Sequence, residues 1–221
     1  MRLSHLFMTA CLLIASLAIP PASRAAEPGK DYVQLAEPLL TTSGNRIEVA
    51  EFFWYRCPHC FELEPALNDW IHGLPRDVAI RRIPAVLNET WAPQARAWYT
   101  LKLMGVADKY HDDLFNAIHL DGLDSSSELS LFAWAGRMGM NPQTFANTYH
   151  SFAVQTKVTQ AAQLTRDSQI TGVPSFVVDG RYVTSVAMTG SEQALFKTLD
   201  ELIARVRSQH ARSIGRPGDP R

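Results

Sequence analysis

The alternation of apolar and polar positions gives a strand–helix–strand opening, a helical middle and a return to strands. Residues 47–55 are almost continuously apolar, β-branched or aromatic, which suits a strand buried on both faces at the centre of an α/β sheet. Cys57 follows, and Pro58 fits the first turn of a helix, where its missing N–H does no harm. That helix is expected to reach about residue 72, kinked at Pro65, with the next strand at 78–83. From about 90 to 170 no strand pattern appears. Thr90 can cap a helix with Pro93 in its first turn, ending near Gly105, and a second stretch runs from 108 to 120. Ser125 with Glu128 makes a capping-box pattern for a third, Asn141-Pro142 opens a fourth, and a longer stretch passes through Gln155 to Gln169. Strand character returns at 175–178 and 181–185 around an Asp179-Gly180 hairpin turn. A last amphipathic helix over 191–208 places Leu195, Leu199, Leu202, Ile203 and Val206 on one face. The segment before the first strand, 27–45, reads as an extended lead-in with turns at Pro28-Gly29 and Ser43-Gly44-Asn45. The pattern is that of an α/β unit with a cluster of helices inserted into it.

The N-terminus follows a different logic. Arg2 and His5 precede an apolar run over 6–18, then Pro20-Pro21, then the small residues around Ser23, Ala25 and Ala26. This is the order of a secretory signal peptide, and the run is short for a membrane span, although an uncleaved anchor is the alternative. Cleavage is expected after Ala25, with Ala26 as the neighbouring choice. The expected division is a signal peptide at 1–25, an α/β domain in two parts at 26–89 and 161–209, inserted helices at 90–160, and a mobile tail at 210–221.

Composition changes the picture only through cysteine. With 221 residues and 46% hydrophobic content the chain can bury a sizeable core, and a net charge of −1 makes no electrostatic case for nucleic acid. Removing the signal segment takes Cys11 with it, so Cys57 and Cys60 are the only thiols left in an exported chain. A loop that short removes little entropy from the unfolded state, so the pair has small structural value and is there to react. Zinc would need two further ligands; no second cysteine pair exists, and the histidines at 72, 111, 119, 150 and 210 are scattered. Neither metal nor cofactor is expected.

Position gives the two sulfurs different tasks. At a helix N-terminus, unpaired N–H groups and the dipole stabilise a Cys57 thiolate, making it the sulfur that is joined to a substrate. Cys60 lies one turn further in and resolves the mixed disulfide. His59 can add a donor or a positive charge near Cys57. Stabilising the thiolate favours the reduced pair, so the disulfide form is an oxidant. Glu51 is the only acid in the run 49–55; a two-residue period puts it on the side of Val49 and Phe53. Its side chain either escapes to the sheet edge or serves, with a raised pKa, as proton acceptor for Cys60. Val173-Pro174 is either a plain strand start or a cis-proline offering the Val173 backbone to an extended peptide.

The run Glu51-Phe52-Phe53-Trp54-Tyr55-Arg56-Cys57-Pro58-His59-Cys60-Phe61, with Glu64 after it and Gly172-Val173-Pro174 near the far end, resembles the DsbA family of periplasmic thiol:disulfide interchange proteins in the thioredoxin superfamily. The resemblance implies a thioredoxin-like fold with an inserted helical domain and a protein disulfide oxidoreductase. It implies Cys57 as nucleophilic cysteine, Cys60 as resolving cysteine, Glu51 as the buried acid and Val173-Pro174 as the cis-proline loop, with Pro58, Val173 and Pro174 facing substrate. Unfolded exported proteins with reduced cysteines would be substrates of a periplasmic monomer, and a DsbB-type inner-membrane partner would reoxidise the pair. Arg56 varies within the family; it favours the thiolate or repels basic substrates. A same-fold isomerase or reductant, and a chaperone-like peptide-binding module, are the alternatives.

Overall fold

A computed structural model describes residues 25–214. Most of the expected signal segment (1–24) and the end of the expected tail (215–221) lie outside the described residues. Five strands form one sheet in the order β1-β5-β4-β2-β3: β1 (Val33–Gln34), β2 (Ile47–Phe53), β3 (Val78–Pro84), β4 (Ser175–Val178) and β5 (Tyr182–Ser185). β2 and β3 are parallel and joined through α1 (Pro58–His72); the other pairings are antiparallel. Parallel neighbours require such a crossover, and α1 supplies it. The helices α2 (Ala92–Leu103), α3 (Ala107–His119), α4 (Glu128–Arg137), α5 (Pro142–Tyr149) and α6 (Phe152–Asp167) stand between β3 and β4, with α7 (Val186–Thr189) and α8 (Glu192–Ile214) at the end. This is the expected α/β architecture with an inserted helical cluster. α6 runs unbroken through position 160, so the last inserted helix leads straight back to the sheet. Among the described residues, no helix is long and apolar enough to cross a membrane.

Every residue of β2 is buried, the acids Glu48 and Glu51 included, as a central strand covered on both faces requires. Alternation sends Ile47 and Val49 toward Leu63 and Leu67 of α1 and Leu195 and Leu199 of α8. Ala50 and Phe52 point the other way, toward Ile83, Val177 and Ala161 of α6. Phe53 joins the sheet to the helical cluster: its ring meets those of Tyr55, Trp98 and His111 edge-on at 5.1, 5.4 and 5.1 Å. Burying one such ring contributes about 2–3 kcal/mol.

Several boundaries differ from the sequence expectation for local reasons. Asn88, not Thr90, caps the first inserted helical segment: its side chain accepts from the Thr90 N–H and opens a 3₁₀ turn at Glu89–Trp91 ahead of α2. Ser127, not Ser125, caps α4 by accepting from Ser130 N–H, while Ser125 is buried and binds the Gln94 amide. α8 passes 208 and continues to Ile214, because no proline or glycine interrupts it before Gly215. Within the lead-in, Val33–Gln34 adds a strand at the free edge of β5. Asp179 and Gly180 both have positive φ (52° and 65°), the central positions of a primed turn that the Arg181 N–H closes on the Val178 carbonyl at 2.9 Å.

Candidate active site

β2 ends at Phe53, and the turn Trp54-Tyr55-Arg56 hands the chain to α1 with the Cys57 N–H donating to the Trp54 carbonyl at 2.9 Å. Cys57 is the N-cap residue in extended backbone conformation, and Pro58 follows at the first helical position. This places the Cys57 sulfur over the open N–H end of α1. Its thiol is pulled down from 9.0 to about 6, first by a hydrogen bond from the Cys60 thiol, against burial, and then by the Cys60 and His59 backbone N–H groups and the charge of His59. Cys60 is pushed the opposite way, well above its ordinary value, first by burial and then by Cys57. One sulfur of the pair is ionised near neutrality and the other holds its proton.

His59 is exposed, and its ring lies 3.3 Å from the Glu62 carboxylate. Its influence on Cys57 runs through the backbone N–H and through charge rather than ring contact. Across from α1, the Val173–Pro174 bond is cis, and the Cys57 thiol donates to the Val173 carbonyl at 3.5 Å. The alternative of a plain trans strand start is therefore set aside. A groove of about 540 Å³ opens here, bounded by His59, Ile170, Val173, Pro174, Val186 and Met188. A groove of similar size, about 580 Å³, lies elsewhere against Tyr99, Lys102 and Lys157 and includes neither His59 nor the Val173–Pro174 loop in its lining.

Beneath the cysteines is a buried polar network. Parallel pairing sets Glu51 of β2 beside Arg82 of β3, and the Arg82 Nε donates to Glu51 Oε2 at 3.1 Å. The Arg82 Nη2 reaches Glu64 Oε2 at 3.2 Å and Asn68 Oδ1 at 2.7 Å, both on α1. Glu64 Oε1 is 3.2 Å from His111 Nε2, and His111 Nδ1 is 2.9 Å from the Tyr55 hydroxyl. Burial and the neighbouring Glu64 charge lift Glu51 to about 7, with Arg82 and His111 opposing. Burial likewise lifts Glu64 to about 7, against Arg82. Burial and then Arg82 lower His111 to about 3, so its ring is neutral. Glu51 is among the groups that raise Cys60, so its charge is felt at the buried sulfur. Its side chain does not escape to an edge; only 1% of it is accessible.

By distance alone Glu64, His111 and Asp112 could cage a cation, their nearest atoms lying within 4.8 Å of one another. The Arg82 guanidinium already lies on Glu64, and the lone-pair nitrogen of His111 faces the Tyr55 hydroxyl, so the set is built as a hydrogen-bond network.

The structure thus gathers Cys57, Pro58, His59, Cys60, Glu51, Val173 and Pro174 around one pair of sulfurs. Sequence reasoning missed Arg82, His111, Tyr55 and His119. His119 donates from Nε2 to the Tyr55 carbonyl at 2.8 Å and stacks on Phe61 at 4.7 Å, so α3 holds the turn before Cys57 from a second point. Two cues were available: an arginine pair inside the otherwise apolar strand 78–84, and a histidine on the apolar face of Tyr110, Leu114 and Phe115. Arg56, on the outer side, donates to Ser126 Oγ at 2.9 Å and lies over Trp54, which stacks on Trp91 at 4.1 Å.

Comparison with known proteins agrees with this geometry. Residues 48–197 match the model of the DSBA-like thioredoxin domain. The thiol:disulfide interchange protein DsbA of Pseudomonas syringae pv. tomato is 35% identical over 207 residues, covering 92% of this chain and 96% of that protein. The DsbA of Bordetella parapertussis is 34% identical over 201 residues, covering 90% and 95%. The crystal structure of Pseudomonas aeruginosa DsbA superposes with a TM-score of 0.80 at 33% identity, over 84% of this chain and 97% of that one. The oxidoreductase DsbA of Xylella fastidiosa gives 0.79 at 28% identity, over 84% and 100%.

Proposed function

The chain belongs to the DsbA-like thioredoxin family and is a thiol:disulfide oxidoreductase, and from that premise we propose that it donates its Cys57–Cys60 disulfide to newly exported proteins in the periplasm. A substrate thiolate attacks the Cys57 sulfur, the Cys57–Cys60 bond breaks, and Cys60 departs and takes a proton from Glu51. A second substrate thiolate attacks the substrate sulfur of the mixed disulfide, and Cys57 leaves as a thiolate. The substrate loses two electrons and gains a disulfide; the pair gains the two electrons. A membrane partner of the DsbB type, itself a disulfide carrier, removes them again.

The asymmetry of the two sulfurs carries this reading. A good leaving group is one whose thiolate is stable, and Cys57 is held near 6 while Cys60 is held high. Pro58, Val173 and Pro174 supply the substrate face: the Val173 carbonyl, 3.5 Å from Cys57, is placed to pair with the backbone of an extended peptide. Residues 26–89 and 161–209 form the redox unit in this account, and 90–160 the helical insert that roofs it.

Trapping tests it. A Cys60→Ala variant cannot resolve, so mixed disulfides with exported proteins should accumulate, all through Cys57 on mass spectrometry. Adducts absent from that variant, or formed equally in a Cys57→Ala variant, contradict the assignment.

A further inference from the structure

Two carboxyls share one guanidinium beneath the cysteines, and the chemistry above needs Glu51, not Glu64, to exchange a proton with Cys60. Their surroundings decide between them. The Tyr55 hydroxyl is fully buried and its partner is His111 Nδ1, so the O–H donates and Nδ1 accepts. A neutral imidazole then carries its proton on Nε2, which donates to Glu64 Oε1. Glu64 accepts at both oxygens, from His111 and from Arg82, whereas Glu51 is held by Arg82 at Oε2.

We infer that His111 is a positioning residue of the redox site: by accepting the Tyr55 hydroxyl and donating to Glu64 it keeps Glu64 charged, and so leaves Glu51 as the carboxyl that takes and returns the Cys60 proton. This rests on the reading of Cys60 as the resolving thiol. When Cys60 resolves a mixed disulfide, its proton passes to Glu51 and its sulfur bonds to Cys57. The partner sulfur leaves with the electron pair of the broken bond. In donation the same proton returns to Cys60.

Glu64 on α1, Arg82 on β3 and His111 on α3 act on Glu51, which in turn acts on Cys60 of α1; Asp112 acts on Glu64 and, with Asp108, on His111, and β4 sets only Phe176 opposite Glu51. Both carboxyls are lifted to about 7, so one hydrogen bond is enough to select the protonated member. Removing the His111 donor lets Glu64 take the proton. Glu51 then faces no neighbouring negative charge while keeping Arg82, and ionises at lower pH.

The resolving step can be isolated as release of glutathione from the Cys57–glutathione mixed disulfide, followed by stopped-flow tryptophan fluorescence across pH. In the native protein the rate should rise with a midpoint near 7. His111→Leu should lower that midpoint by roughly one pH unit, the size expected for losing one charge-assisted hydrogen bond. His111→Gln, whose amide offers an N–H donor for Glu64 and an acceptor oxygen for Tyr55, should restore it. An unmoved midpoint in His111→Leu, or equal shifts in both variants, overturns the inference. A measurement on the unaltered protein does not depend on either variant folding. Carboxyl carbon NMR should show Glu64 ionising before Glu51, with the imidazole proton on Nε2; the reverse order overturns it. Failure of the native protein to oxidise any dithiol peptide would instead count against the donor function, and the carboxyl order would remain measurable.

Discussion

Removing the Cys60 thiol should weaken the acid strength of its neighbour. The hydrogen bond from Cys60 is the largest cause of the low Cys57 value of about 6, ahead of the two backbone N–H groups and His59. A hydrogen bond to an ionised acceptor contributes about 1.5–3 kcal/mol, and sulfur is a weak partner, so the lower end applies. At about 1.4 kcal/mol per unit, Cys60→Ala should raise Cys57 by roughly one unit, from about 6 to about 7. Cys60→Ser, which keeps a donor, should stay near the native value. Thiolate absorbance at 240 nm, titrated on the reduced proteins, reads the midpoint directly. Alkylation rates are a poorer probe, since a higher pKa also makes the thiolate intrinsically more nucleophilic and hides part of the change. An unchanged midpoint in Cys60→Ala would mean that the helix end alone holds the thiolate, and the reasoning would be wrong. In the intact pair the same bond accounts for about 30 mV of oxidising power.

Two further outcomes follow from the fold and its charges. A depressed thiol pKa adds stability that is complete above the unfolded value of 9.0 and is lost as pH falls through about 6. Between pH 6 and 8 the reduced protein should therefore gain about 1–2 kcal/mol relative to the oxidised one, the partial access of solvent to the sulfur holding it to that range. Urea melts of both forms cancel the opposite drift from Glu51 and Glu64, and parallel curves would rule the linkage out. Gly180→Ala should cost at least about 2 kcal/mol, because φ is +65° and a Cβ would sit 2.2 Å from the Leu39 carbonyl oxygen. A thermal melt within a degree of native would show that the lead-in segment yields instead.

The reactive pair was legible because its chemistry lies within four consecutive residues, and β2, α1 and the hairpin because each has a strong local period. The short elements were not. Val33–Gln34 is a strand only because β5 has a free edge beside it, and the caps expected at Thr90 and Ser125 are taken instead by Asn88 and Ser127, each two positions away with a side-chain oxygen of its own. The polar network was hidden for a different reason. Glu51 meets Arg82 through a parallel register 31 positions apart, and Glu64 meets His111 across 47, so neither contact leaves a local trace. A single sequence shows Arg82 and His111 as misplaced polar residues; the pairing shows what they are for.

The central claim concerns the direction of electron flow, and the equilibrium with glutathione tests it most directly. Lowering Cys57 by about three units from 9.0 corresponds to roughly 90 mV toward an oxidant. Incubated with mixtures of reduced and oxidised glutathione and quenched with acid, the protein should stay largely reduced until oxidised glutathione is in large excess. A pair that remains oxidised while reduced glutathione predominates would mark a reductant and contradict the account.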